Sequence, residues 1–355
     1  GVQVKIEERR LAVHPPVFAS GKQRIKNTFP PRALNGNGSV AEFRSGWGNL
    51  LIPFFEISIL AIEMNNPPPT GLLDAHTHIG TDLLFYLRGD YPYALDWPTL
   101  VRLGEYEGIT GGFVVFPMPT NSTFSVAALQ QGRMEPDYKL AQVPYAFENR
   151  RMLEEIELFP QFRNRAFPLC FIDPSRKQEE QVKELETLYQ EYRFVGLKVQ
   201  ATIIQSFVRD LNGPGSCLME FAAEKNLPVL LHSSVSPDDP WSNVDDLLAV
   251  AEAWPQIRFN LAHSCRFDKP ALDRINDLPN AWFDCSAHRI HCELVGMRSR
   301  VVASPERLFP SDYSNPATVL RDLAEAYPNK LMWGSDAPFD SYVSKTLKLM
   351  SCYKD

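Results

Sequence analysis

The sequence predicts an α/β protein, a (β/α)8 TIM barrel with an extra N-terminal segment, and three observations carry that expectation. Eight short apolar runs lie at 72–78, 113–117, 167–172, 194–199, 229–232, 259–263, 282–286 and 331–335, and eight is the strand number of that barrel. The stretches between them have helical spacing, the alternation expected of βα units around a parallel sheet. Several runs also end directly on a histidine or an aspartate, as barrel strands do where they open onto a shared mouth.

The helical stretches can be read one by one. Val182, Leu185 and Leu188 repeat at three-residue spacing after Ser175, which is placed to cap. Val244, Leu247, Leu248 and Ala251 form a second apolar stripe, and Val319, Leu320, Leu323 and Tyr327 a third. A doubly wound open sheet competes with the barrel, but it would place a glycine-rich phosphate turn after the first strand, where Asp74, Ala75, His76, Thr77 and His78 stand instead. Residues 1–70 read differently. Pro15-Pro16, Pro30-Pro31, the Asn/Gly run at 35–38 and Pro67-Pro68-Pro69 are linker and turn signals, so an irregular N-terminal extension precedes a barrel at 71–355. Residues 341–353 have room for only a short last helix.

Composition narrows the function. A formal charge of -7 argues against nucleic acid, whose phosphates need a basic surface. The one basic stretch is 1–40, with seven Lys/Arg against two Glu, and it reads as a solvated arm. The apolar stretch at 50–64 contains Pro53, Glu56 and Glu63 and falls short of the ~20 residues that span a bilayer. The start of the chain lacks the apolar core of a secretory signal. Six scattered cysteines form no zinc-knuckle or disulfide spacing, which fits a reducing, cytoplasmic setting. A homodimer is the default assembly for such an enzyme.

The chemistry is expected at the strand ends. His76 and His78 are two apart on one strand, so both rings face one side and can share a cation. The fifth run closes on His232, the sixth on His263 and the eighth on Asp336. Parallel strands bring their C-terminal ends to one mouth, where a divalent ion satisfies several imidazoles and a carboxylate together. Lys198 adds an amine inside an apolar strand, where charge is expensive; it can bridge two metals once carboxylated, hold a substrate anion, or pair with Asp336.

The set His76, His78, Lys198, His232, His263 and Asp336, in that order along the strands, resembles the amidohydrolase superfamily. Segments 74–80 and 333–338 look most like its amidohydrolase-related branch, which includes metal-dependent hydrolases and aminocarboxymuconate semialdehyde decarboxylase. The resemblance covers residues 72 to about 340 and implies a single zinc on His76, His78, His232 and Asp336, with His263 acting beside it. In two-metal members Lys198 and His263 become ligands too, and manganese or iron can replace zinc. One departure is local: Val199-Gln200-Ala201 follows Lys198 where the family often has His-Pro.

The function this implies is hydrolysis of an amide, lactone or ester by metal-activated water, with Asp336 and His263 as the catalytic pair. A metal-dependent decarboxylase acting on a small unsaturated or aromatic acid is the alternative, and a metal-free barrel serving as a binding protein the third. Arg88, His288 and Arg289 are candidate substrate contacts, with His291 nearby. Phe85, Tyr86, Tyr91, Tyr93 and Trp97 are candidates for an aromatic wall over a small-molecule site, with plain packing as the competing role.

Overall fold

The computed structural model describes residues 71–88, 94–119, 125, 127–128, 131, 143–192 and 194–339. The expectations for 1–70, for 50–64 within it, and for a last helix at 341–353 lie outside the described residues. Nine strands among those described form one sheet: β1 (Leu73–Thr81), β2 (Ala94–Leu95), β3 (Gly112–Pro117), β4 (Ala166–Phe171), β5 (Gly196–Val199), β6 (Val229–Leu231), β7 (Phe259–Leu261), β8 (Ala281–Asp284) and β9 (Leu331–Met332). Their order is β2-β1-β3-β4-β5-β6-β7-β8-β9. All neighbours are parallel except the small β1–β2 pair, so the eight parallel strands are the eight apolar runs of the sequence.

The two edges of the parallel set meet. The Ala75 N–H donates to the Trp333 carbonyl at 3.0 Å, the His78 N–H to Ala337 at 2.8 Å and the Asp336 N–H to His76 at 2.8 Å, with a parallel bridge between Thr77 and Ala337. The sheet therefore curls into a distorted (β/α)8-type barrel, and its last strand end lies against its first. That seam becomes the site.

Side-chain alternation sorts the core into two layers. Val114, Phe116, Phe167, Leu169, Phe171, Leu230 and Met332 belong to one buried cluster, while Phe113, Val115, Leu197, Val199, Val229 and Leu231 pack in another with the helices. The helices include Val244–Ala253 and Pro316–Ala326, whose predicted stripes are buried apart from the half-buried Leu320. Asn243 and Asn315 cap them by accepting from the backbone N–H of Asp245 and Ala317. The helix over Gln178–Tyr192 buries Leu185 and Leu188 as expected, but Ser175 does not cap it; that hydroxyl donates to Asp210 at 2.6 Å. Trp97 is fully buried against Phe113, at 5.9 Å between ring centroids, and so belongs to the core, whereas Tyr86 is exposed. The Phe85 side chain, Tyr91 and Tyr93 lie outside what is described.

One irregularity decides which way the first strand's histidines face. Leu73 and Ala75 belong to the inner cluster, so strict alternation would turn His76 outward. Between Asp74 and Thr77, β1 holds one residue more than β3, because Asp74 pairs with Phe113 and Thr77 with Val115. This bulge reverses the phase, and His78 then pairs with inward-facing Phe116.

Candidate metal centre

His76, His78 and Asp336 come together at the seam. Each offers one donor atom, and these atoms lie within 4.8 Å of one another; all three residues are buried. His76 Nε2 is 3.2 Å and His78 Nε2 3.4 Å from the same Asp336 carboxylate oxygen. Asp336 reaches them from a left-handed backbone conformation, φ 70°, just past β9. Phe116 packs edge-on against both imidazoles, at 4.9 and 4.4 Å between centroids.

The other ring nitrogens settle the tautomers. His78 Nδ1 is 3.0 Å from the Pro117 carbonyl, which can only accept, so Nδ1 carries the proton. His76 Nδ1 is 3.0 Å from a carboxylate oxygen of Asp284, which imposes the same tautomer. With Nδ1 protonated on both rings, each Nε2 is left to face the Asp336 carboxylate, sharing a proton with it or, on a neutral ring, offering a lone pair to a cation. A divalent cation fits this donor set, and the carboxylate and carbonyl behind the rings are the orienting partners that ligating histidines normally have.

Asp284, fully buried at the end of β8, is the organising anion. Its second oxygen accepts from the backbone N–H of His263 at 3.1 Å and of Ser286 at 3.0 Å, and its first from Asn260 at 2.8 Å as well as from His76. Burial works against its charge, but His76 first, then His263 and the Ser286 hydroxyl, outweigh it and hold the carboxyl below the usual range. Asp336 likewise stays well below 3.8, burial being outweighed by the two histidines. Burial and Lys198 push His76 down, Asp284 and Asp336 push it up more, and its pKa is raised from 6.5. For His78 burial dominates and lowers it.

The other predicted residues surround this triad. The His263 ring is 5.0 Å from that of His76 and 4.7 Å from that of His232, and His263 Nε2 is 3.0 Å from His232 Nδ1. Burial, then Arg266, depresses both of these histidines well below 6.5. Lys198 is fully buried, its Nζ has no hydrogen-bond partner and lies 4.7 Å over the Phe116 ring, and burial lowers it from 10.5 to about 7. His288 is half-buried with Nε2 2.8 Å from the Pro316 carbonyl, and Arg289 sits 4.0 Å from Glu293 on the same helix, His288–Gly296. The Arg88 side chain is outside what is described.

Sequence reasoning missed Asp284 and Arg266. Asp284 closes an apolar strand just as the predicted ligands do, so the same strand-end criterion could have found it. Arg266 lies three residues past the end of the sixth run, and its inward course depends on a turn that periodicity does not reveal.

A parallel α/β barrel with two histidines and an aspartate converging at its seam presents a cluster capable of coordinating a divalent metal ion. The sequence profile described as Amidohydrolase matches residues 73–346, most of the chain, and the protein belongs to that family. No curated protein matches the chain in sequence. Among solved structures, it resembles 5-carboxyvanillate decarboxylase from Sphingomonas paucimobilis, with 10% identity over 80% of this chain and 96% of that one and a TM-score of 0.50. A probable 2-pyrone-4,6-dicarboxylic acid hydrolase from Acinetobacter baumannii shares 17% identity over 79% and 90% of the two chains, with a TM-score of 0.44. An amidohydrolase from Burkholderia multivorans shares 14% identity over 79% and 90%, with a TM-score of 0.49.

Proposed function

We propose that this protein is a metal-dependent hydrolase acting on an amide, lactone or ester of a small molecule. The observation that supports the reading is the meeting of two Nε2 atoms, each oriented by a partner on its Nδ1, and a carboxylate within reach of one cation. His76, His78 and Asp336 would hold the ion, with zinc as the first choice and manganese or iron as alternatives; His232, His263 and Lys198 are the further candidate ligands. When bound, such an ion polarises a carbonyl and lowers the pKa of water from 15.7 toward ~7.

The chain's own residues supply the rest. Asp336, at 9% exposure the most open of the triad, takes the proton from attacking water and passes it to the leaving group. His263, held by Ser286 and His232, acts as the second acid or base beside it. Arg88, His288 and Arg289 remain candidates for substrate contact at the rim. The substrate is a small molecule rather than nucleic acid or membrane, and the default assembly is a homodimer. No helix among the described residues is long and apolar enough to cross a membrane. Among the described residues, five buried or half-buried cysteines are free thiols, which suits a reducing cytoplasmic setting.

A lyase is the second reading, because His263 and Lys198 stand beside the triad where an acid could protonate a carbon as carbon dioxide departs. The deciding experiment is metal analysis of protein purified without chelator, followed by a panel of lactones, esters and amides alongside carbon dioxide release from muconate-like and aromatic acids. One metal equivalent with hydrolysis is the expected result. Two equivalents would bring Lys198, carboxylated, and His263 in as ligands. Carbon dioxide release alone would make the protein a lyase, and no zinc, manganese or iron with no activity on reconstitution would leave a binding protein. Asp336→Asn should lower kcat by roughly 10²–10⁴, the usual worth of a general base.

A further inference from the structure

Five consecutive non-glycine residues after β7 have positive φ: His263 at 63°, Ser264 at 47°, Cys265 at 46°, Arg266 at 57° and Phe267 at 63°. This left-handed turn carries Arg266 inward, to 8% exposure, and lays its guanidinium across the site. Nε–H donates to the Ser233 carbonyl at 2.9 Å, Nη1 meets His291 Nε2, and Nη2 donates to His232 Nε2 at 2.9 Å.

A guanidinium only donates, so His232 Nε2 must accept with its single in-plane lone pair. The ring proton is then on Nδ1, directed at His263 Nε2 3.0 Å away; Gln200 Nε2, itself a donor, also lies 3.0 Å from Nδ1 and does not accept from it. His263 Nε2 is the matching acceptor, because His263 Nδ1 faces the Ser286 carbonyl at 3.2 Å and carries that ring's proton. Both nitrogens of His232 are thereby engaged. A metal ion at His232 Nε2 would have to displace a buried cation, which also repels it.

We propose that Arg266 is a positioning residue that holds His232 outside the coordination sphere, so that the ion sits on a three-ligand face of His76, His78 and Asp336. The proposal rests on the metal-centre reading above. Its consequence is an ion with more open positions for water and substrate oxygen than a fourth protein ligand would leave.

The test uses the full chain, stripped of metal and titrated with zinc against a chromophoric chelator, and with cobalt(II) followed by visible absorption. The variants are His232→Ala, Arg266→Gly, their combination and His76→Ala; glycine suits the backbone at 266. The zinc Kd of His232→Ala should equal that of the unaltered chain. Arg266→Gly should bind zinc about tenfold or more tightly, the lower end of what even orienting partners are worth. Its cobalt bands should intensify as His232 joins, and both gains should vanish in the double variant. A tenfold weaker Kd for His232→Ala with Arg266 in place would overturn the proposal, as would an Arg266→Gly protein with unchanged Kd and spectrum. If Arg266→Gly does not fold, the His232→Ala comparison still decides. Failure of the metal-centre reading looks different: the unaltered chain then binds neither ion, or binds it equally well after His76→Ala.

Discussion

Asp284 is not itself among the expected metal ligands, yet it fixes the tautomer of His76 and the backbone of His263 and Ser286 together. Asp284→Asn keeps the shape but removes the charge that orients the His76 lone pair. Zinc affinity should fall about 10–100-fold, measured by chelator competition, and an unchanged Kd would sink the assigned role. Lys198 permits a different test. Its folded pKa of about 7 lies below its ordinary 10.5, so between those values the unfolded chain binds more protons and stability rises with pH. Below pH 7 the cost of burying the ammonium is present in full. In metal-free urea titrations, the unaltered chain should therefore gain about 3 kcal/mol relative to Lys198→Met between pH 7 and pH 9.5. Parallel stability curves for the two proteins would mean that the amine is not buried as described.

At the scale of elements, the site depends on two departures from regular geometry. The bulge in β1 turns His76 and His78 inward, and the left-handed turn from His263 to Phe267 carries Arg266 to His232. Each left-handed non-glycine residue costs roughly 1–2 kcal/mol, a cost carried here by a turn in which all five residues are buried. The seam between β9 and β1 adds a third constraint. A Cβ at Gly334 would lie 2.9 Å from the His76 Cβ and 3.3 Å from its backbone nitrogen, closer than packed carbons tolerate. Gly334→Ala should therefore displace His76 and weaken zinc binding by about tenfold or more, on the scale of a lost orienting contact. An alanine variant with the original Kd would show that the strand end can give way without moving the ring.

For the whole molecule, the proposed metal and stability should be linked through the seam, because the three candidate ligands come from the first barrel strand and the segment just past the last. An ion binding only the folded state at a hundred times its Kd adds about 2.7 kcal/mol. At roughly 2–4 °C per kcal/mol for a domain of this size, chelation should lower Tm by roughly 5–10 °C, with zinc restoring it. Scanning calorimetry with and without chelator would measure this, and coincident transitions would argue against a folded-state metal site.

The amino-acid order alone determined the barrel, its eight parallel strands and the strand-end donors, because apolar runs and helical stripes are local patterns that burial enforces. His76, His78 and Asp336 were legible for that reason, each following an apolar run directly. Only the tertiary structure decided how those donors divide. Asp284 became the orienting anion, and His232 met a guanidinium rather than the triad, because a one-residue bulge and a left-handed turn aim side chains through backbone phase, which no periodicity in the sequence encodes.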